Sequence, residues 1–195
     1  MAALDPPPSR VGTDATPGGV TRGQVPGSSF TGEYPQRIDG KGRVSIPSDF
    51  RRVLEQNDPD WREGLPARLY LLYGDHLKDR LEAYSVAAFD AVAARLQALR
   101  PRTPEESLAK KLRLRMVLGQ SVRLDVDKDG RVVMPAAQRR KLGLSEGEVV
   151  FSGAGDHFEV WAQATYEDSV QAELKAFLDA HPEGFDPMAF DGDGP

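Results

Sequence analysis

Short apolar stretches of strand length, each closed by a polar or glycine-bearing turn, recur along this chain in two groups separated by a longer helical pattern. The first group opens with an extended run over Glu33–Ile38, a polar turn, and a β-branched run over Val44–Ile46; the second opens with Ser121–Val126, a polar turn and Val132–Met134. A glycine-containing loop between two such runs predicts a β-hairpin in each group. A proline follows, Pro47 or Pro135, and ends ladder pairing because it has no N–H. A short helix comes next. Ser48 is placed to cap the one that runs to Leu54, and Gly143 to close the one that starts near Ala136. Each group then continues with a second strand pair. Arg68–Tyr73 and Arg80–Tyr84 are joined through Gly74-Asp75-His76, and Glu148–Phe151 and Phe158–Trp161 through a turn ending in Asp156-His157.

Between the groups, Val86, Phe89, Val92, Ala93, Leu96 and Leu99 recur at helical spacing after Ser85, a capable N-cap, until Arg100-Pro101 ends the segment. Thr103-Pro104-Glu105-Glu106 supplies a cap, a proline at the first helical position and a glutamate three residues after the cap, predicting a second helix to about Met116. A helical hairpin is the expected result. A third helix, from Thr165-Tyr166 to about Ala180, takes the same place after the second group.

The two groups are copies of one unit. Asp39, Arg43 and Pro47 are matched 88 positions later by Asp127, Arg131 and Pro135, and Arg51, Arg52 and Leu54 by Arg139, Arg140 and Leu142. Units this short bury too little surface alone, so one shared core is expected. The organisation that follows is a tail over 1–28, a first repeat with the helical hairpin over 29–115, a second repeat with the last helix over 116–180, and an acidic tail over 181–195. Residues 1–28 are rich in Pro, Gly, Ser and Thr with almost no large apolar side chain, which predicts disorder. Gly, Pro and Asp dominate from His181 onward, with the same expectation.

Composition narrows the chemistry. The 195 residues include no cysteine, which excludes disulfides and thiolate metal sites and fits a reducing compartment. No apolar run approaches the length of a membrane span and no export signal opens the chain, so a cytoplasmic protein without a membrane partner is expected. The net charge of −5 argues against nucleic acid until its distribution is considered. Residues 167–195 hold eight acids and one lysine, a local −7 that leaves +2 on the rest. Within 37–52, Arg37, Lys41, Arg43, Arg51 and Arg52 face only Asp39 and Asp49, and local sign governs phosphate attraction.

A D-x-x-x-R spacing on a tight hairpin can bring carboxylate and guanidinium together at the loop base and fix its shape. Asp39 and Asp127 are accordingly read as loop-stabilising residues, and a purely structural role for Asp39–Arg43 and Asp127–Arg131 is the competing reading. Arg51, Arg52, Arg139 and Arg140 suit a solvated face or a subunit salt bridge at least as well as DNA contact. Asp125-Val126-Asp127-Lys128-Asp129-Gly130 opens like a calcium loop, but the twelfth position, where a bidentate glutamate is needed, is Ala136. His76 and His157 follow aspartates in matching turns and are read as turn residues, since a metal site needs three or four converging ligands. No phosphate-binding Lys-Ser/Thr loop and no nucleophile-base motif is present, and no catalytic residue is assigned. Trp61, Trp161, Tyr70, Phe89 and Phe158 are read as core or interface residues.

The paired D-x-x-x-R motifs, their Gly-Arg-(apolar)₃-Pro continuation and the opening Phe30-Thr31-Gly32-Glu33-Tyr34 resemble the MraZ family of bacterial transcriptional regulators over about Phe30 to Tyr166. That resemblance implies an α+β, AbrB-like fold: a double-psi/swapped-hairpin β-barrel built from two internal repeats with external helices, one chain supplying both halves. It implies DNA-facing loops, with Arg43 and Arg131 as main contacts and Arg37, Lys41, Arg123 and Lys128 as phosphate partners. It further implies a ring-shaped, nucleoid-associated homo-oligomer on direct repeats in double-stranded promoter DNA. Such a ring regulates, and usually represses, the division and cell-wall gene cluster, with no cofactor. Copy two has Lys128-Asp129-Gly130 where copy one has Gly40-Lys41-Gly42, so weaker contact by its loop is expected. The alternative is an oligomeric protein-interaction scaffold or antitoxin-like module, supported by the acidic tail and external helices.

Overall fold

A computed structural model describes residues 29–181; the expectations for 1–28 and for the tail beyond His181 lie outside the described residues. The first repeat contributes β1 (Glu33–Ile38), β2 (Arg43–Ser45), α1 (Ser48–Gln56), β3 (Arg68–Leu72) and β4 (Arg80–Ser85). Two helices follow, α2 (Val86–Ala98) and α3 (Pro104–Val117). The second repeat gives β5 (Ser121–Asp125), β6 (Arg131–Val133), α4 (Ala136–Lys141), β7 (Gly147–Gly153) and β8 (His157–Ala162). The last helix is interrupted: α5 (Gln163–Thr165) passes through a π-helical turn over Tyr166–Val170 into α6 (Gln171–Ala180).

The simple hairpin reading is corrected by the pairing. β1 and β2 form no ladder with each other; β1 pairs antiparallel with β7, β2 with β6, and β5 with β3. Each first hairpin is thus shared with the other repeat. One six-stranded antiparallel sheet results, in the order β1-β7-β8-β4-β3-β5, with β2–β6 as a separate two-stranded ribbon. The second strand pairs, β3–β4 and β7–β8, form as the sequence predicts. The α+β, AbrB-like architecture with two repeats holds, while the barrel is open. β1 and β5 end the sheet as unjoined edges, because the prolines after β2 and β6 leave the ribbon strands only three residues long.

The register places a pseudo-two-fold axis through the molecule. Val44 stands opposite Val132, its own counterpart, at the centre of the ribbon, and Glu82 stands opposite Glu159 at the centre of β4–β8. Between ribbon and sheet lies the core, where Val44, Val132, Ile46 and Met134 meet Leu69, Leu71, Phe151 and Val160. Phe50 of α1 sits 5.2 Å from Phe30 and 4.8 Å from Phe158, ring centre to ring centre. The opposite sheet face carries α2 on one half, with Phe89 stacked on Tyr70 at 4.2 Å, and Val150, Trp161 and Tyr166 on the other.

Helix ends show where local sequence decides. Ser85 Oγ accepts from Ala88 N at 3.3 Å, and Thr103 Oγ1 from Glu106 N at 3.2 Å. Glu106 reaches back one residue beyond the cap, accepting from Arg102 N at 2.6 Å. Lys110 Nζ donates to the carbonyls of Gln97 and Leu99, both at 2.8 Å, covering the exposed acceptors at the end of α2. The α4 terminus is a Schellman turn: Gly143, at φ 71°, donates to Arg140 O and Leu144 N donates to Arg139 O. Ser48 does not cap α1. Pro47 occupies the cap position and accepts from Arg51 N at 2.9 Å, so Ser48 is already helical.

Candidate nucleic-acid interface

Each D-x-x-x-R loop is a three-residue hairpin loop built from its own backbone. Gly42 N donates to Asp39 O at 2.8 Å and Asp39 N to Arg43 O at 3.0 Å; the second loop repeats this with Gly130, Asp127 and Arg131 at 2.9 and 2.7 Å. The turn requires a left-handed residue before the arginine. Gly42 and Gly130 supply it with φ of 83° and 76°. The aspartate then locks the loop from inside. Asp39 Oδ1 accepts from Lys41 N at 2.9 Å and Arg43 N at 2.8 Å, and Asp127 Oδ1 from Asp129 N and Arg131 N, both at 2.9 Å.

The guanidiniums separate the copies. Arg43 directs both Nε and Nη2 at Asp39 Oδ2, each at 2.7 Å, while among the described residues no ion pair joins Arg131 to Asp127. The Arg43 backbone N–H, with its guanidinium second, holds the Asp39 carboxyl below its usual range.

The loops are also braced across the repeats. Ile46 N donates to Gly130 O at 2.9 Å and Met134 N to Gly42 O at 2.8 Å. Arg51 of α1 lies against Gly130, and its counterpart Arg139 of α4 lies against Gly42. These two helix arginines support the loops from within, a role sequence reasoning did not assign. Only the fold brings them there, although their matching positions in the two copies were visible.

Outward, the ribbon alternates. Val44 and Val132 point to the core, while Arg43, Ser45, Arg131 and Val133 are exposed. Arg43 faces Val133 and Arg131 faces Ser45, so the two arginines are diagonal neighbours across the ribbon, about 7–8 Å apart at Cα. A groove of about 250 Å³ is lined by Arg37, Asp39, Arg43, Ser45 and Arg131. Arg37 also pairs with Glu148, its cross-strand neighbour, at 3.1 Å. Lys41 is exposed at the tip of the first loop.

Arg123 and Lys128 stand apart from this groove. Arg123 is exposed on β5, 4.0 Å from Asp125. Lys128 borders a second groove of about 350 Å³ with Arg51, Trp61 and Asp127. Asp125 holds the place in copy two that Arg37 holds in copy one, and Asp129 the place of Lys41. The exposed ribbon face is therefore positive on the side of the first loop and mixed on the other.

Among the described residues no helix is long and apolar enough to cross a membrane. A family model described as "MraZ protein, putative antitoxin-like" matches residues 29–112 and 117–184, one loop motif in each stretch. A protein of Ruegeria pomeroyi named transcriptional regulator MraZ is 46% identical over 166 residues, which cover 85% of this chain and 96% of that protein. A protein of a second Ruegeria strain with the same name is 43% identical over 169 residues, covering 86% and 98%. One from Gluconobacter oxydans, also so named, is 36% identical over 135 residues, covering 69% and 76%. With both repeats matched and the two Ruegeria proteins, each named a transcriptional regulator, aligned over nearly their full length, this chain belongs to the MraZ family.

Proposed function

We propose that this chain is a sequence-specific DNA-binding repressor that reads promoter direct repeats as a ring-shaped homo-oligomer, at the division and cell-wall gene cluster. The observation that carries the reading is the ribbon face, where Arg43 and Arg131 are held outward by rigid, cross-braced loops beside Arg37. Phosphates are met by Arg37 and Lys41, with Arg123 and Lys128 as outlying contacts, and base edges by Arg43 and Arg131. Asp39 and Asp127 set the loop shape on which this depends.

One such face makes few contacts. Copies fixed in one assembly turn later contacts into intramolecular events, so a repeated site is bound far more tightly than a single one. Support for self-association comes from the helices. Leu108 and Leu112 lie exposed on α3, and Leu174 and Leu178 on α6. Their surroundings are complementary, with Lys110, Lys111, Arg113 and Arg115 on α3 against Glu167, Asp168, Glu173 and Asp179 around α6. A second copy docking α6 onto α3 buries both pairs.

The test is fluorescence anisotropy on the chain's own upstream DNA and on a scrambled duplex across a salt series, for wild type, Arg43→Ala and Arg131→Ala. Specific binding that weakens steeply with salt and is lost in the variants, with the assembly intact, is the expected result. Equal binding to both duplexes by the assembled wild type overturns the reading in favour of a protein-interaction scaffold.

A further inference from the structure

We infer that Glu82, His157 and Glu159 form a site for one divalent transition-metal ion of the zinc type, on the sheet face opposite the ribbon. Glu82 and Glu159 lie on that face at the centre of β4–β8, His157 opens β8 on the same face, and the ligand-capable atoms of the three all lie within 4.8 Å of one another.

The register is the first reason. Glu82 and Glu159 stand directly opposite each other in an antiparallel pair, an arrangement that repels. Glu82 is only 8% exposed, so water screens the repulsion poorly. Two glutamates in this position call for a cation between them.

The second reason is how the donors are held. Tyr84 Oη donates to Glu82 Oε2 at 2.8 Å, and Trp161 Nε1, in the matching place on β8, donates to Glu159 Oε2 at 2.9 Å. Each carboxylate keeps Oε1 for a cation. On the imidazole, Nδ1 lies 2.7 Å from Asp156 Oδ1, and the ring stacks on Tyr84 at 4.8 Å. A carboxylate on Nδ1 fixes the tautomer that leaves the Nε2 lone pair for a metal, the outer-shell arrangement common to metal-bound histidines.

Arg80 now stands between the two glutamates, with Nη2 3.3 Å from Glu82 Oε1 and Nε 3.0 Å from Glu159 Oε1. It is the pseudo-symmetric counterpart of His157: each lies two residues before the glutamate of its own strand. One guanidinium offsets one of three carboxylates, Glu82, Glu159 and Asp156, and leaves an excess of −2 with neutral imidazole. A divalent ion in the guanidinium's place offsets one charge more than Arg80 does. Its arrival displaces Arg80, whose guanidinium already lies 5.4 Å from the Trp161 ring and is partly exposed. Contacts of about 2.0–2.2 Å require the donors to draw together by side-chain rotation on otherwise fixed strands. One imidazole with two carboxylates suits zinc, cobalt or nickel rather than calcium or magnesium, which take all-oxygen sets.

The experiment uses the full chain without an affinity tag, titrated with zinc chloride by calorimetry and with cobalt(II) by visible absorption. One ion per chain is expected, with a change in Trp161 emission. Glu82→Gln and His157→Gln should each weaken zinc binding at least tenfold, His76→Gln should leave it unchanged, and Arg80→Met should tighten it by removing the competing cation. Circular dichroism confirms that each variant is folded. Absence of saturable binding in both wild type and Arg80→Met overturns the site, as does binding that survives Glu82→Gln and His157→Gln. The measurement needs no DNA, so its outcome is separate from that of the regulatory reading.

Discussion

Arg51 of the first repeat rests its guanidinium against Gly130 of the second, so that a Cβ on that glycine would stand 2.6 Å from Arg51 Nη1. At the mirror position Arg139 stands farther off, at 3.1 Å, but a Cβ on Gly42 would stand 2.7 Å from the carbonyl oxygen of Met134, which is backbone and less able to give way. Both glycines are left-handed, at a cost of about 1–2 kcal/mol to any other residue. Gly130→Ala is therefore expected to lose about that much stability, since Arg51 is a long side chain that can swing aside. Gly42→Ala should lose more, because Met134 cannot move without the ribbon. Urea unfolding of the two variants gives the order, and equal losses would mean that the contact at Gly42 gives way as readily as that at Gly130.

The charge asymmetry of the ribbon face separates the two loops in DNA binding. Lys41 and Arg37 flank the first loop where Asp129 and Asp125 flank the second. Asp129→Lys, which restores the copy-one residue, should tighten DNA binding and steepen the dependence of log K on log salt by about one unit. Lys41→Asp should do the opposite. A salt slope unchanged in both variants would place the loop tips away from phosphate.

Much of this arrangement was legible in the sequence because it is local. The loops, the prolines that end the ribbon strands, the Ser85 and Thr103 caps and the Gly143 terminus are each set by residues within a few positions of one another. The pairing was not local. Nothing near Glu33–Ile38 says that it joins β7 instead of its own hairpin partner, since either choice satisfies its backbone. The same holds for Glu82 and Glu159, which look like two unrelated surface acids until the β4–β8 register sets them opposite each other. His157 reads in sequence as a turn residue, but it opens β8 opposite Tyr84, and only that register makes it their neighbour. Ser48 shows the reverse error, a good capping residue passed over because Pro47 had already fixed the extended dihedral that a cap requires.

Asp58, in the loop between α1 and β3, is the more buried partner of an ion pair. Its carboxylate takes Arg68 Nε at 2.6 Å on Oδ2 and Arg68 Nη2 on Oδ1, a two-pronged pair that pins the 57–67 loop to the start of β3. The Arg68 guanidinium holds the Asp58 carboxyl below its usual range, against burial, which raises it. A carboxyl lowered in the folded state adds stability that is fully present above the unfolded value, about 3.9, and is lost as pH falls through the folded one. Asp58→Asn should cost about 2–3 kcal/mol at pH 7, less than a fully buried pair because Asp60 remains 2.8 Å from Arg68. The gap between variant and wild type should narrow in acid, as the wild-type carboxyl protonates too. A gap that stayed constant down to pH 2 would assign the loss to packing.

The exposed leucines of α3 and α6 decide whether these helices are surfaces or interfaces. Neither helix contributes a buried residue to the fold, so Leu108→Glu with Leu112→Glu should leave the monomer's stability within about 0.5 kcal/mol of wild type, as for ordinary surface changes. The assembly should respond strongly, since two carboxylates would enter an apolar contact without partners. Light scattering after size exclusion is expected to show a fall in mass for this double variant, and for Leu174→Lys with Leu178→Lys, which sets two cations against the basic α3. DNA binding then separates avidity from contact. The dissociated variants should lose most of their affinity for a repeated site while keeping that of wild type for a single site, because Arg43 and Arg131 lie on the ribbon and not on these helices. An unchanged mass in both double variants would remove α3 and α6 from the interface, and equal losses on single and repeated sites would show that the helices support the ribbon itself.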